Sequence, residues 1–577
     1  MKTDMFCFQC QEAAGNRGCT KAGICGKTPS TASMHDQLLY VTSGLSSVTT
    51  RLRSEDVGIP YYVNHLITDN LYSTMTNVDF DTEDVERRIS DTLSLKTHLI
   101  SKLLDSSSLP EAAVWSGRFR EFYTKADTIG VLSNTDPDIR SLKQLIICAL
   151  KGMSAYVCHA NELGHDNPEI DKFIQRTLAV FIGDLSAIRE SKAAKAGQSR
   201  EFSECIVTGS HKSSDIKESV ISWLVKAADE TGRYAIDSMR LLDEANTASF
   251  GSKEISHVRT SAGERPGILV SGHNLRDLEM LLDQTSGKGI EIYTHSEMMS
   301  AHYYPQLKRY PHLHGNYGGA WHQQKDDFAR FRGPIIVTSN CLVPPEDDYS
   351  DRLFTTGAVR YPGIRHIDGD VGEERDFGEV ISMALSCEPP MEQKLPMVTG
   401  GFGHQQLFAL TDIISEAVRV GRITRIVVMA GCDGRQPKRS YYSDYAERLD
   451  NSTLILTAGC SKFRFMFNDT SHILGLPRII DAGQCNDSYS LVLFLTYLQD
   501  ALGISSINEL PVLFNISWYE QKAVAVLLAL LHLGIRDIRL GPTLPAFLSP
   551  EITDYLSKEF GIKVISSVEE DLMEDNS

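Results

Sequence analysis

The sequence predicts a multidomain α + α/β protein: a helical-bundle N-terminal region, then a parallel-sheet α/β region in two parts. Three observations predict it. Apolar residues recur every three or four positions from about Ser33 to Asn246. From about Pro266 the texture changes to short apolar runs, each closed by a Gly-, Ser- or Asn-containing turn. A break at Pro389–Pro396, "PPMEQKLP", divides that second region. A chain of 577 residues is too long for one hydrophobic core and fits about three or four domains.

The helical half reads from its periodicity. In "NPEIDKFIQRTLAVFIGDLSAIRE" the apolar set is Ile170, Phe173, Ile174, Leu178, Phe181, Ile182, Leu185 and Ile188. "PDIRSLKQLIICALKGMSAYV" repeats the pattern through Ile139, Leu142, Leu145, Ile146, Leu150 and Met153. Such stripes pack as bundles. The second half supplies "GILVSG", "GIEIYTH", "GPIIVTSN", "ITRIVVMAG", "STLILTAG", "RIIDAGQ", "ELPVLFNIS", "IRDIRLG" and "GIKVISS". Buried strands separated by helix-length segments predict parallel sheets covered on both faces.

Composition excludes several classes. Lys+Arg is 57 against Asp+Glu 75, a net charge of −18, which argues against nucleic acid or an anionic membrane as partner. No run of about 18 apolar residues is present. The N-terminus has neither the apolar core nor the cleavage site of a secretory signal, so a cytoplasmic location is expected. There thiols stay reduced, and twelve cysteines are expected as ligands, redox groups or core fillers.

Cys7, Cys10, Cys19 and Cys25 form C-x2-C-x8-C-x5-C. Four soft thiolates suit an iron–sulfur cluster or zinc, and these residues alone leave both open. Two decoys fail. "GKT" at Gly26–Thr28 has Lys21 where a phosphate loop needs glycine, and "GGFGHQQ" at Gly400–Gln406 ends in Gln406 where a dinucleotide loop needs glycine. No nicotinamide or flavin site is evident.

The α/β half carries a second set. Ligands of open parallel sheets sit beyond the carboxyl ends of the strands. The expected strands lead in turn to His273, Glu297, Cys341, Cys432, Cys460, Cys485 and Glu520, with Lys522 two residues on. A lone Cys there is more often a small buried hydrophobe, a lone Glu or His a cap, and Lys522 equally a surface lysine opening a helix. Seven in series at sheet edges point to a metal centre. Four thiolates favour iron and sulfide; two carboxylates and an imidazole add harder donors. A cubane that only transfers electrons needs no carboxylates, so a mixed sulfide- and oxygen-bridged centre open to a small substrate is expected.

At this point "FCFQCQEA", "GHNLRDLEMLL", "YTHSEM", "HGNYGGAW", "TSNCLVPP", "AGCDGR", "TAGCSKFRF", "DAGQCNDSYS" and "SWYEQKAVAVLL" together resemble the hybrid-cluster (prismane) or hydroxylamine reductase family. The resemblance spans essentially the whole chain. It implies a helical N-terminal domain and two Rossmann-like parallel-sheet α/β domains, set here at 1–258, 259–392 and 393–577. It implies a [4Fe–4S] cluster on Cys7, Cys10, Cys19 and Cys25, of the short-spacing class. It implies a hybrid [4Fe–2O–2S] cluster on His273, Glu297, Cys341, Cys432, Cys460, Cys485 and Glu520, with Lys522 adjacent. Cys432, in "GCDG", matches the family's persulfide position.

The activity so implied is reduction of hydroxylamine to ammonia and water. Electrons would enter through the N-terminal cluster from an external electron-donor protein, with Glu297, Glu520 and Lys522 as candidate proton donors. Reduction of nitric oxide at the same site is a second enzymatic reading. A nitric oxide or redox sensor that modifies partner thiols through Cys432 under nitrosative stress is a non-enzymatic one, and a zinc-stapled scaffold a third. Carbon monoxide dehydrogenases are structural relatives of the family, but Glu297 and Glu520 argue against nickel. A monomer is expected. Two departures stand out: the family tends to read Gly where this chain has Ser296, and Leu-Pro where it has "MMSAH" at Met298–His302. These bear on substrate access. Cys148, Cys158, Cys205 and Cys387 match no cluster motif, and the first two are expected in helix core.

Overall fold

The structure, a computed structural model, describes residues 4–187 and 199–576. The N-terminal region is helical: α1 (Pro29–Ser54), α2 (Tyr61–Ser73), α3 (Thr82–Ile100), α4 (Glu111–Val114), α5 (Phe119–Ile129), α6 (Pro137–Glu162), α7 (Pro168–Phe181), α8 (Ser199–Thr208) and α9 (Ser214–Phe250). One local device starts α1, α6 and α7. Thr28, Asp136 and Asn167 cap the first amides, and the proline that follows each begins the helix with its φ already set. The apolar stripe expected through Ile188 is shorter as a helix. It stops at Phe181, just before Gly183 turns the chain at φ +90°, and Leu185 belongs to a separate turn. Ile188 lies outside the described residues.

The remaining chain forms strands β1 (Ser256–Val258), β2 (Gly267–Ser271), β3 (Glu291–His295), β4 (Leu313–Asn316), β5 (Ile335–Val337), β6 (Leu353–Thr356), β7 (Arg365–Ile367) and β8 (Val398–Gly400). These are followed by β9 (Arg425–Val428), β10 (Thr453–Thr457), β11 (His472–Ile473), β12 (Leu476–Pro477), β13 (Ile479–Asp481), β14 (Val512–Ser517), β15 (Ile538–Gly541) and β16 (Lys563–Val564). Two six-stranded, all-parallel sheets result, ordered β4-β3-β2-β5-β6-β7 and β13-β10-β9-β14-β15-β16. Each begins at its centre, runs outward, then crosses to the other side. That is the doubly-wound order, with switch points between β2 and β5 and between β9 and β14. β1 pairs with β8 antiparallel and joins the chain ahead of the first sheet to that ahead of the second.

The helical region is anchored on the second sheet. The helix Gln521–His532, "QKAVAVLLALLH", is apolar on nearly every side and packs inside. Gly152 of α6 and Gly232 of α9 bring those helices against it. A Cβ at Gly152 would lie 2.5 Å from the Gln521 carbonyl, and one at Gly232 would lie 2.2 Å from that of Leu528. The largest apolar core therefore runs from α6, α7 and α9 through this helix into the second sheet. No helix among the described residues is long and apolar enough to cross a membrane.

Candidate metal centres at the sheet edges and the N-terminal loop

The carboxyl-end loops of the second sheet are laced to one another. Cys432 N–H donates to the Ser517 carbonyl at 2.8 Å, Gly431 N–H to Ala458 at 2.9 Å, and Gly459 N–H to Gly483 at 3.0 Å. This places Cys432, Cys460, Cys485 and Glu520, each just beyond its strand, along one edge. The first sheet presents His273 after β2, Glu297 after β3 and Cys341 after β5.

The two edges face each other. The Cys485 N–H donates to Glu297 Oε2 at 2.8 Å, and Gln484 Nε2 donates to the His273 carbonyl at 3.1 Å. Ser296 Oγ lies 3.1 Å from Cys460 Sγ. Ligand-type atoms of His273, Glu297 and Cys485 lie within 4.8 Å of one another. Lys522 Nζ sits 2.9 Å from His273 Nε2 and donates to Asn340 Oδ1 at 3.0 Å. All of these side chains are buried except Cys341, which is half-buried.

Electrostatics follow from that burial. It pushes the Cys341, Cys460 and Cys485 thiols well up and that of Cys432 up to about 12; Glu297 adds to the rise in all four. Burial also works to raise Glu297. The bond with His273 and the charges of His273, Lys522 and Lys462 outweigh it and hold the carboxyl down at about 2. Glu520 remains raised by burial although Lys522 opposes this. For Lys522 burial favours the neutral amine, but Cys485, Glu520, Cys341 and Glu297 prevail and keep its proton held tightly. Lys522 is no surface lysine: it is 2% exposed. Glu520 does cap its helix, its Oε2 accepting the Lys522 N–H at 2.8 Å, while Oε1 lies 3.8 Å from Lys522 Nζ.

The N-terminal thiols are the second set. Cys7 and Cys19 exchange backbone hydrogen bonds at 3.1 and 2.7 Å. Burial pushes the Cys10 thiol well up, and Cys25, Cys7, Glu12 and Cys19 add to that rise. No cysteine among the described residues is in a disulfide. The loop is stitched to the edge of the second sheet. Gln11 N–H donates to the Tyr519 carbonyl at 2.9 Å, and Gln521 Nε2 donates to Gln9 Oε1 at 3.3 Å. Fully buried Arg439 donates to Gln11 Oε1 at 2.8 Å and to the Trp518 carbonyl at 2.7 Å. The segment Trp518–Gln521, which carries Glu520, thus lies directly between the two thiol sets.

The donors fit iron–sulfur groups on their chemistry. Both sets gather thiols that are buried or half-buried, without disulfides to consume them. At the sheet edges two carboxylates join them, and the Lys522 ammonium faces them. A polycationic iron core is the kind of partner that stabilises so many anionic donors away from water.

A profile described as Prismane/CO dehydrogenase family matches residues 5–208 and 184–573. The chain belongs to the Prismane/CO dehydrogenase family. It is 46% identical over 573 residues to a protein of Desulfovibrio desulfuricans named hydroxylamine reductase, covering 99% of each chain. A protein of that name from Methanocaldococcus jannaschii is 46% identical, with 98% of this chain and 99% of the relative covered. Among solved structures, carbon monoxide dehydrogenase IV from Carboxydothermus hydrogenoformans aligns at TM-score 0.53 and 15% identity, covering 98% of this chain and 91% of that one. At that identity the likeness is one of fold.

Several residues that shape the site carry no sequence signal of a site. Tyr156 of α6 points its hydroxyl at Cys485 Sγ, 3.8 Å away. Ser339 Oγ lies 2.7 Å from His273 Nδ1 and orients the ring. Asn340 touches both Lys522 and Cys341 Sγ. Ser339 and Asn340 were legible only as neighbours of Cys341 in "TSNC". Ser296, read from sequence as bearing on access, touches a sulfur instead. Its φ of +57° is a left-handed conformation that glycine adopts more readily than serine. Cys341 is likewise left-handed, at φ +81°; such backbone strain gathers at functional sites.

Proposed function

We propose that this chain is an iron–sulfur oxidoreductase that reduces hydroxylamine to ammonia and water. The observation that carries the reading is the convergence of His273, Glu297 and Cys485 from two separate sheets within 4.8 Å, with Lys522 against them. The identities with proteins named hydroxylamine reductase support the substrate.

His273, Glu297, Cys341, Cys432, Cys460, Cys485 and Glu520 would hold a hybrid [4Fe–2O–2S] cluster, with Cys432 the persulfide candidate. Cys7, Cys10, Cys19 and Cys25 would hold a [4Fe–4S] cluster. When bound, these groups supply electrons and a Lewis-acidic face. The protein's own residues do the rest. Each turnover takes up two electrons and two protons, breaks the N–O bond, and releases ammonia and water. Lys522, fixed by Asn340 and facing His273, holds a proton beside the site, and Glu520 stands 3.8 Å from it to replace that proton. Burial excludes bulk water from the reacting centre. Electrons enter at the N-terminal thiol loop from an external donor and pass beside Trp518–Gln521, the segment bonded to Gln9 and Gln11.

A second substrate reading has one specific observation in its favour. A cavity of about 30 Å³, room for one small molecule, reaches Cys432 and Cys485 and, apart from Ser488, is otherwise walled by apolar residues such as Val428, Leu491, Phe514 and Ile516. An apolar diatomic such as nitric oxide suits it better than hydroxylamine does.

The test is anaerobic turnover with reduced methyl viologen as electron source. One ammonia formed per hydroxylamine, with two viologens oxidised, is expected. Absence of ammonia from fully iron-loaded protein contradicts the proposal. Nitric oxide consumption at a higher kcat/KM would move the assignment to the second reading.

A further inference from the structure

A cavity of about 460 Å³ lies between the helical region and the first sheet. α2, α3 and α6 form one wall. The chain beyond the carboxyl ends of β2, β5, β6 and β7 forms the other. Its outer rim includes Asp368, Gly369 and Asp370, all exposed. Its inner end is formed by Tyr72 and His159, both buried.

That inner end abuts the candidate centre. The Tyr72 hydroxyl accepts the Asn340 N–H at 3.1 Å, and Asn340 in turn accepts from Lys522. The His159 ring stacks on that of His273 with centroids 6.3 Å apart, and its edge meets Tyr72 at 5.7 Å. His159 Nε2 is buried without a hydrogen-bond partner, as is Nε of Arg375 on the opposite wall. Buried polar atoms on the wall of a roomy polar cavity are the groups that water or a small polar guest satisfies.

The lining carries equal numbers of fixed charges: Arg87, Arg88, Arg360 and Arg375 against Asp69, Glu162, Asp368 and Asp370. Arg375 binds Glu162 at 2.9 Å, and Arg360 binds Asp368 at 3.3 Å. A polar passage whose ions neutralise one another favours a neutral hydrogen-bonding guest over an anion or a cation. The proposed reaction consumes such a molecule with two protons and releases ammonia and water, none of which crosses an apolar core readily.

We propose that this chamber is the aqueous entrance to the sheet-edge centre, admitting small neutral polar molecules, with Tyr72 and His159 as its inner wall. The inference rests on the functional reading for its substrate, but the route can be tested without it. Leu66, half-buried on the chamber wall, is replaced by Trp to fill the passage and by Ala to leave it open; Val371→Trp, from the opposite side, is a second plug.

Anaerobic holoprotein is mixed with hydroxylamine, and separately with hydrogen peroxide, a neutral polar oxidant, while the absorbance of the second cluster is followed. Both plugs should slow both spectral changes by about tenfold or more. Leu66→Ala should not, and dithionite reduction of the N-terminal cluster should keep its rate. Unchanged rates in a folded, iron-loaded plug variant overturn the chamber. A wild type that responds to peroxide through the chamber, yet neither responds to nor turns over hydroxylamine, overturns the functional reading and leaves the route standing.

Discussion

Lys462 offers the sharpest link between packing and chemistry. Its ammonium and the Asp481 carboxylate are both wholly buried, with Nζ 3.0 Å from each carboxylate oxygen and a further bond to the Gly483 carbonyl at 2.8 Å. Asp481 also accepts from Tyr303 Oη at 2.6 Å and from the Gly483 N–H at 2.9 Å. Lys462 lies in the turn that begins at Cys460, and Gly483 lies two residues before Cys485. The pair therefore fixes the spacing of two thiols. Lys462→Met leaves the carboxylate buried with only neutral donors. Breaking a buried pair in this way costs about 3–5 kcal/mol. For a unit of 150–250 residues that loss lowers the melting temperature by roughly 6–20 °C. Scanning calorimetry of the holoprotein reads the stability, and the paramagnetic signal of the second cluster reads the site. The expected result is a lower melting temperature and a diminished second signal, with the N-terminal signal retained. A Lys462→Met protein that melts within a degree of wild type and keeps both signals refutes the reasoning.

Three further outcomes follow from the same geometry. Glu520→Gln should leave the N-terminal signal unchanged, alter the second and abolish most turnover; normal spectrum and rate together would remove Glu520 from the site. Gly152→Ala puts a methyl 2.5 Å from the Gln521 carbonyl and should cost about 1–3 kcal/mol while moving Lys522, so kcat falls although no proposed ligand has changed. Asp171, buried in α7, has its carboxyl pushed up to about 7, chiefly by burial. The unfolded chain ionises Asp171 near its ordinary value, whereas the folded chain holds the proton. Stability is therefore lost as pH rises from about 4 to 7, on the order of 4 kcal/mol at most. Asp171→Asn should raise the melting temperature at pH 8 and have little effect at pH 4, and an equal effect at both would contradict the burial argument.

How much of this was readable depends on what each element buries. Strands such as "GILVS" and "TLILT" are buried along their whole length, so an unbroken apolar run marks them. β4, "LHGN", and β7, "RHI", lie at the two edges of the first sheet and have no such run. The sequence order of His273 through Glu520 was legible because each follows a strand. Their approach was not, since it depends on the mutual placement of two sheets, as for Glu297 and Cys485, which meet across 188 residues of chain. Tyr72, Tyr156 and His159 sit on helices, where an aromatic residue reads as core. Gly152 reads as a flaw in a helical stripe until its contact with Gln521 is seen. The decoy "GGFG" has a packing reason: a Cβ at Gly400 would meet the Tyr303 hydroxyl at 2.2 Å, and one at Gly401 would meet the Glu254 carbonyl at 2.1 Å. Those glycines permit close approach of protein to protein.

The central claim is that the chain carries two distinct iron–sulfur centres, one per thiol set. The most direct measurement is electron paramagnetic resonance, with iron, sulfide and zinc counts, on anaerobically purified wild type, Cys10→Ser and Cys485→Ser. The account predicts two signals in wild type, loss of only the first in Cys10→Ser and of only the second in Cys485→Ser. A colourless zinc-bearing protein, or one signal lost in both variants, would contradict it.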